Sequence, residues 1–205
     1  MRLMRIALEG EAPTGKAAKE DEFVFYGKIK DFSQLKNATS SEEQVQFEIA
    51  IPKTDKNAVE GKQRVRRTNA VGSEDFAYEH TIKTKGSDGI PIETSNPSSE
   101  AAFIQYKYLA ETGMAKTRYE FPIEGTEYKW EVDVFKTVDG GMHEWCKIDL
   151  EFIGGRPDTI PTFPIDLDNL IANQYGNRTE EEETTVRMLY DTVFRISNPI
   201  VAKAQ

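Results

Sequence analysis

Between Arg64 and Glu151, five stretches of the chain carry charged side chains on alternate residues. They are Arg64-Val65-Arg66, Glu79-His80-Thr81-Ile82-Lys83-Thr84-Lys85, Lys116-Thr117-Arg118-Tyr119-Glu120, Glu131-Val132-Asp133 and Lys147-Ile148-Asp149-Leu150-Glu151. Successive strand residues point to opposite faces, so this period commits one face of a sheet to charge. The signs also separate by stretch, with cations on the first three and mostly carboxylates on the last two. If such a sheet curls with that face inward, it encloses a cationic tunnel with an acidic patch. A polyanion and a divalent cation suit that lining. The competing arrangement is a sheet whose opposite charges simply pair across strands.

The intervening residues are apolar. Val65, His80, Ile82, Tyr119, Trp130, Val132, Val134, Cys146, Ile148, Leu150 and Phe152 alternate with the charges and must be buried. Further strands are expected near residues 22–30 and 44–53, where Val45, Phe47, Ile49 and Ile51 alternate, and Met1 to Leu8 could supply an eighth. The segment from Gly86 to Pro97 is rich in breakers, and a helix is expected over 98–112. Beyond Pro157, Pro161 and Pro164, Ile165 to Tyr175 reads as a short helix. A second helix starts at Thr179, whose spacing from Glu182 is that of a capping box. Its apolar stripe is Val186, Leu189, Tyr190 and Val193. The helices at 98–112 and 179–196 are the available covers for the apolar face, so both are expected outside the barrel. The organisation expected is a barrel over 1–155 and a helical segment over 156–205 packed on it.

At 205 residues with 38% hydrophobic composition, the chain can bury a core as one domain. A formal net charge of -9 makes duplex nucleic acid an unlikely partner and argues against anionic membranes, while leaving room for a protein partner. No run approaches the roughly 18 apolar residues of a membrane span. The basic start of the chain soon meets Glu9 and Glu11 and makes a poor signal peptide. A lone Cys146 fits a reducing compartment, so cytoplasm is the expectation. His80 and His143 are the two histidines, and no Cys-His spacing suggests zinc.

Taken in order, these segments resemble the CYTH superfamily, the triphosphate tunnel metalloenzymes. Gly61-Lys62-Gln63-Arg64-Val65-Arg66-Arg67 is similar to the family's arginine-rich strand, and Thr81-Ile82-Lys83-Thr84-Lys85 to the lysine strand after it. Lys116-Thr117-Arg118-Tyr119-Glu120-Phe121, Trp130-Glu131-Val132-Asp133-Val134-Phe135 and Ile148-Asp149-Leu150-Glu151-Phe152 resemble the three that follow. The chain departs from the family at its first strand. Where a Glu-x-Glu-x-Lys signature belongs, Val24 and Tyr26 precede Lys28.

The resemblance implies an α+β, mainly antiparallel fold, a closed or nearly closed eight-stranded tunnel barrel with flanking helices. It implies a nucleoside triphosphate or polyphosphate ligand and Mg2+ or Mn2+ as cofactor. Arg64, Arg66, Lys83, Lys85, Lys116 and Arg118 are then the candidate phosphate contacts, arginine by bidentate bonds and lysine as a point charge. Glu131, Asp133, Asp149 and Glu151 are the candidate metal ligands. Of these, Glu131, Asp133 and Glu151 are the candidate catalytic groups, acting through a metal that activates water or stabilises developing charge. An active form would be a metal-dependent triphosphate phosphohydrolase or a nucleotidyl cyclase. The missing first-strand glutamates leave the anion-binding half complete and the catalytic half short of ligands. A different class of function is a non-catalytic scaffold or inhibitor working through an acidic outer surface.

Overall fold

Alternation is strongest where a strand has one wet and one dry face, and the computed structural model follows it closely. Residues 21–51, 61–85, 91–110, 112–152, 157–173 and 179–197 are described. The strands are β1 (Asp21–Ile29), β2 (Ser40–Ile51), β3 (Gly61–Ala70), β4 (Ala77–Lys85), β5 (Pro91–Pro97), β6 (Thr112–Pro122), β7 (Lys129–Lys136), β8 (Met142–Phe152), β9 (Leu167–Asn173) and the two-residue β10 (Ile196–Ser197). They form one antiparallel sheet in the order β5-β4-β3-β2-β6-β7-β8-β1-β9, with β10 beside β6. The sheet therefore has ten strands, not eight, and its path ends at β5 and β9 with no ladder joining them among the described residues. The fold is α+β and mainly antiparallel, and among the described residues the sheet is an open trough where a closed or nearly closed barrel was expected. The expected strand over Met1 to Leu8 lies outside the described residues.

Two strands were hidden in the sequence. The breaker-rich segment before the first helix holds β5, which pairs with β4 from Lys85↔Pro91 to Glu79↔Pro97. Its prolines sit at the two ends of an edge strand, where a missing N–H costs no ladder bond. The stretch read as a short helix over 165–175 is mostly β9, which pairs with β1. β1 has a free edge once β8 is paired, and satisfying it overrides local pattern. The register shifts between Tyr26 and Lys28, opposite Asn169 with its positive φ of 52°, which marks a bulge.

On the apolar face Trp130, Val132, Val134, Ile148 and Leu150 are buried together with Phe23 and Phe25 of β1. Leu35 of a short 3-10 helix (Phe32–Asn37) and Phe163 and Ile165 of the proline-rich segment cover them. Phe163 packs 4.8 Å from Trp130 and 5.1 Å from Phe25, ring centre to ring centre. Each such fully buried side chain is worth about 1.5–3 kcal/mol relative to exposure. Helix α1 (Glu100–Leu109), capped by Ser99 accepting from the Ala102 N–H, covers the rest of this face through Phe103 against Phe47.

Helix α2 (Glu180–Leu189) has the expected capping box, and Val186 and Leu189 are buried. Its position is a correction. Together with the π-helical turn Tyr190–Phe194, it packs on the charged face, against Val24 and Tyr26 of β1, Phe135 of β7 and Ile171 of β9. The Phe194 ring stacks 4.0 Å from Phe135. The reason lies in β1, where Phe23-Val24-Phe25-Tyr26 is apolar on both faces and so needs two covers.

Gly113, the second residue of β6, stands opposite Phe47, and a Cβ there would stand 2.7 Å and 2.9 Å from two atoms of the Phe47 ring and 3.0 Å from the Gln46 carbonyl oxygen. Gly113→Ala is therefore expected to destabilise the protein by about 1–3 kcal/mol. A denaturant midpoint matching that of the parent protein would refute the close approach of β2 and β6.

Candidate functional site

Because Glu22 of β1, Gln46 of β2, Arg64 and Arg66 of β3, Lys83 of β4, Glu93 of β5, Lys116 of β6, Asp133 of β7 and Asp149 of β8 line one cavity of about 400 Å³, the sheet must curve around it. Tyr190 and Arg195 wall the end beneath α2. Glu48 lines it too, so the first two strands do bring carboxylates to the trough, though not as the family's paired signature. The cavity is almost wholly polar. A second hollow of about 480 Å³ shares Arg66, Glu79 and Ser95 with it and continues the trough along β3 to β5.

The charges were expected to separate into a cationic lining and a free acidic patch. Strand order prevents this. β6 lies beside β7, and Arg118 faces Asp133 directly across the ladder. Arg118 grips Asp133 with two bonds, Nε to Oδ1 at 2.7 Å and Nη2 to Oδ2 at 2.9 Å. It also pairs with Glu131, and its Nη2 lies 3.9 Å from an Asp149 carboxylate oxygen. Lys116 donates to the same Asp133. On the other wall Glu93, which the sequence reading missed, accepts from Arg64 at 3.1 Å and pairs with Lys83. The alternation of Glu93 and Ser95 was visible, but Pro91 and Pro97 disguised the strand that carries it.

Five of the six candidate phosphate contacts can be placed. Lys116 and Arg118 are held by carboxylates of β7, and Arg64 and Lys83 by Glu93. The Lys85 side chain lies outside the described residues. Arg66 differs from these. It is half-buried in the trough wall, makes no hydrogen bond or ion pair with any described residue, and its Nε is buried without an acceptor. Burial and the neighbouring Arg64 and Arg118 push its basicity below the usual arginine range, with Glu79, directly opposite on β4, and Asp133 offsetting part of this.

The four candidate metal ligands occupy a small charge lattice on β6, β7 and β8. Glu120, Glu131 and Asp149 stand directly opposite one another in a single cross-strand row. Like charges in register repel, and cations on either side hold the row together. Arg118 lies on one flank, and Lys129 on the other donates to Glu120 at 2.9 Å and Glu131 at 2.6 Å and pairs with Glu151 at 3.2 Å. Lys147 takes Asp149. Burial raises the Glu131 and Asp149 carboxyls against the pull of these cations. Burial also opposes the charge on Asp133, but Lys116, Arg118 and Lys147 outweigh it and hold this carboxyl well below the usual range. Lys116 is pushed down to about 8 by burial, with Arg118 and Lys147 reinforcing the shift and Asp133 resisting it.

A divalent ion needs about six oxygens converging at roughly 2.0–2.6 Å. The carboxylates of this lattice converge on ammonium and guanidinium nitrogens instead. Asp149 Oδ1 and Glu131 Oε2 lack a hydrogen bond, but the Glu131 oxygen lies against the Arg118 guanidinium, and the two do not make a site. Among the described residues no group of three or more His, Cys, Asp or Glu is arranged to hold a metal ion. The expected Mg2+ or Mn2+ ligands Glu131, Asp133, Asp149 and Glu151 thus do not fit a metal as they stand. The catalytic roles of Glu131, Asp133 and Glu151, which depended on that metal, lose their support. No helix among the described residues is long and apolar enough to cross a membrane.

The remaining candidates stay structural. His80 sits on the apolar face, where Tyr106 of α1 bonds to it at 3.0 Å and to Gln63 at 2.6 Å. Cys146 is fully buried, and burial pushes its thiol up to about 12, so it is no nucleophile at neutral pH.

No protein-family model matches the sequence, and no curated protein matches it significantly. Among solved structures, the PH1819 protein from Pyrococcus horikoshii OT3 aligns with a TM-score of 0.44 at 15% identity, over 85% of this chain and 91% of that one. A conserved hypothetical protein from Pyrococcus furiosus aligns with a TM-score of 0.41 at 17% identity, over 67% and 82% of the two chains. For the PH1012 protein from Pyrococcus horikoshii OT3 the values are 0.39, 14%, 67% and 81%. Likeness at this level carries no argument about chemistry.

Proposed function

We propose that the trough binds a triphosphate-bearing anion, a nucleoside triphosphate or inorganic polyphosphate, and holds it without turnover. Arg66 carries this reading: it is a half-buried arginine in the wall of a polar cavity, flanked by Arg64 and Arg118, and it makes no hydrogen bond or ion pair with any described residue. Leaving such a charge unpaired is costly, and an anion removes the cost. Arginine suits the task because its fork matches phosphate oxygens bidentately. Arg64, Lys83 and Arg195 supply further positive charge within the same cavity. In this reading the tunnel of the resembled family corresponds to the curved trough, and the ligand class goes with a cytoplasmic protein. Hydrolysis or cyclisation would require a metal site that the carboxylate lattice does not offer.

Calorimetric titration of the full chain with tripolyphosphate, ATP and GTP, with orthophosphate as control, tests the reading. Saturable binding of one or more of the three is expected, with little from orthophosphate and an affinity that falls as salt rises. No binding of any of the three at low ionic strength would reject it and turn attention to a scaffold acting through the acidic outer surface.

A further inference from the structure

The row Glu120–Glu131–Asp149 would be a reasonable cradle for a cation, and a cation already occupies it. Lys129 Nζ lies 2.9 Å from Glu120, 2.6 Å from Glu131 and 3.2 Å from Glu151, so three carboxylates on three adjacent strands point at one ammonium. On the opposite flank Arg118 meets Glu131 and Asp133, and Lys147 satisfies Asp149. We propose that Lys129, Arg118 and Lys147 act as resident cations in place of a divalent metal, so that the trough takes its polyphosphate ligand as the metal-free anion. This rests on the binding reading above and specifies the ionic form of the ligand.

A bridging metal tethers phosphate to protein by sharing carboxylate and phosphate oxygens, which requires several carboxylate oxygens not already held by protein cations. Here the carboxylates of Glu120, Glu131, Asp133, Asp149 and Glu151 each meet at least one protein cation within 3.2 Å. A divalent ion entering the lattice would face Lys129 and Arg118 as like charges at close range. Meanwhile Arg66 makes no ion pair with any described residue. A fully ionised phosphate chain complements that cation better than a chain whose charge is already masked by Mg2+.

Tripolyphosphate titrated into the full chain in EDTA, and again with excess Mg2+ or Mn2+, decides the matter. Binding in EDTA is expected to be at least as tight as binding with either metal. Saturable binding that appears only with metal would overturn the inference while leaving the binding reading intact. Absence of binding under every condition would remove both. A second measurement concerns the lattice directly: Mn2+ added alone and followed by its spin-resonance signal. The parent protein is expected to leave Mn2+ free. Lys129→Ala, which vacates the ammonium position, is expected to bind it at about 10⁻⁴–10⁻³ M, the weak end for carboxylate cation sites. Stoichiometric Mn2+ binding by the parent protein, or none by a folded Lys129→Ala, would overturn the assignment of Lys129 as a metal surrogate. The parent measurements stand even if that variant does not fold.

Discussion

Asp133→Ala is expected to cost about 3–5 kcal/mol of folding free energy, the usual consequence of removing one partner from a buried charge cluster. Asp133 is 1% exposed and sits between Lys116 on its own wall and the two-pronged contact from Arg118, with Lys147 opposite it on β8. Deleting it leaves these cations confronting one another in a desolvated space. Lys116, already pushed down to about 8, would be expected to lose its proton more readily still. Chemical denaturation at neutral pH measures the loss, and a change below about 1 kcal/mol, typical of exposed pairs, would refute the buried lattice. The same group predicts a pH dependence. Its carboxyl is depressed in the folded state, so its contribution is fully present above the ordinary Asp value of about 3.9 and fades as pH falls toward the depressed one. The stability gap between the parent and Asp133→Ala should therefore narrow in acid and persist at neutral pH.

Arg66→Met should have the opposite profile: a loss of ligand binding with no loss of stability. Each charged hydrogen bond contributes about 1.5–3 kcal/mol, so tripolyphosphate affinity is expected to fall about tenfold to a hundredfold. The variant keeps much of the aliphatic stem and removes an unpaired charge that Arg64 and Arg118 already disfavour, so thermal stability should hold or rise. Arg64 and Lys83 make poorer test positions. Both pair with the single carboxylate of Glu93. Their removal would strand that carboxylate. Unchanged affinity in Arg66→Met would refute its place as the anion's principal contact.

Much of the site's material was legible. A period of two is a local property, and from Arg64 to Glu151 it correctly assigned charged and apolar residues to opposite faces. The capping box of α2 and the burial of Val186 and Leu189 followed from equally local rules. What those rules could not reach was adjacency. The sequence presents cations and then carboxylates as successive blocks, but β2 inserts between β3 and β6, and β6 then lies against β7. That placement turned an expected free acidic patch into an ion-paired lattice, as the competing cross-strand pairing would have it. It left Arg66 without an ion pair among the described residues.

β5 and β9 show the same division. Prolines at the ends of one and a helix-like spacing in the other masked strands that exist because β4 and β1 have edges to satisfy. The sequence by itself determined which side chains share a face, because strand and helix periods are set by backbone geometry. Only the tertiary structure decided which charges meet, which face α2 covers and whether a metal has carboxylates left to bind. Those outcomes depend on hydrogen-bonded edges and Coulomb contacts between residues far apart in the chain.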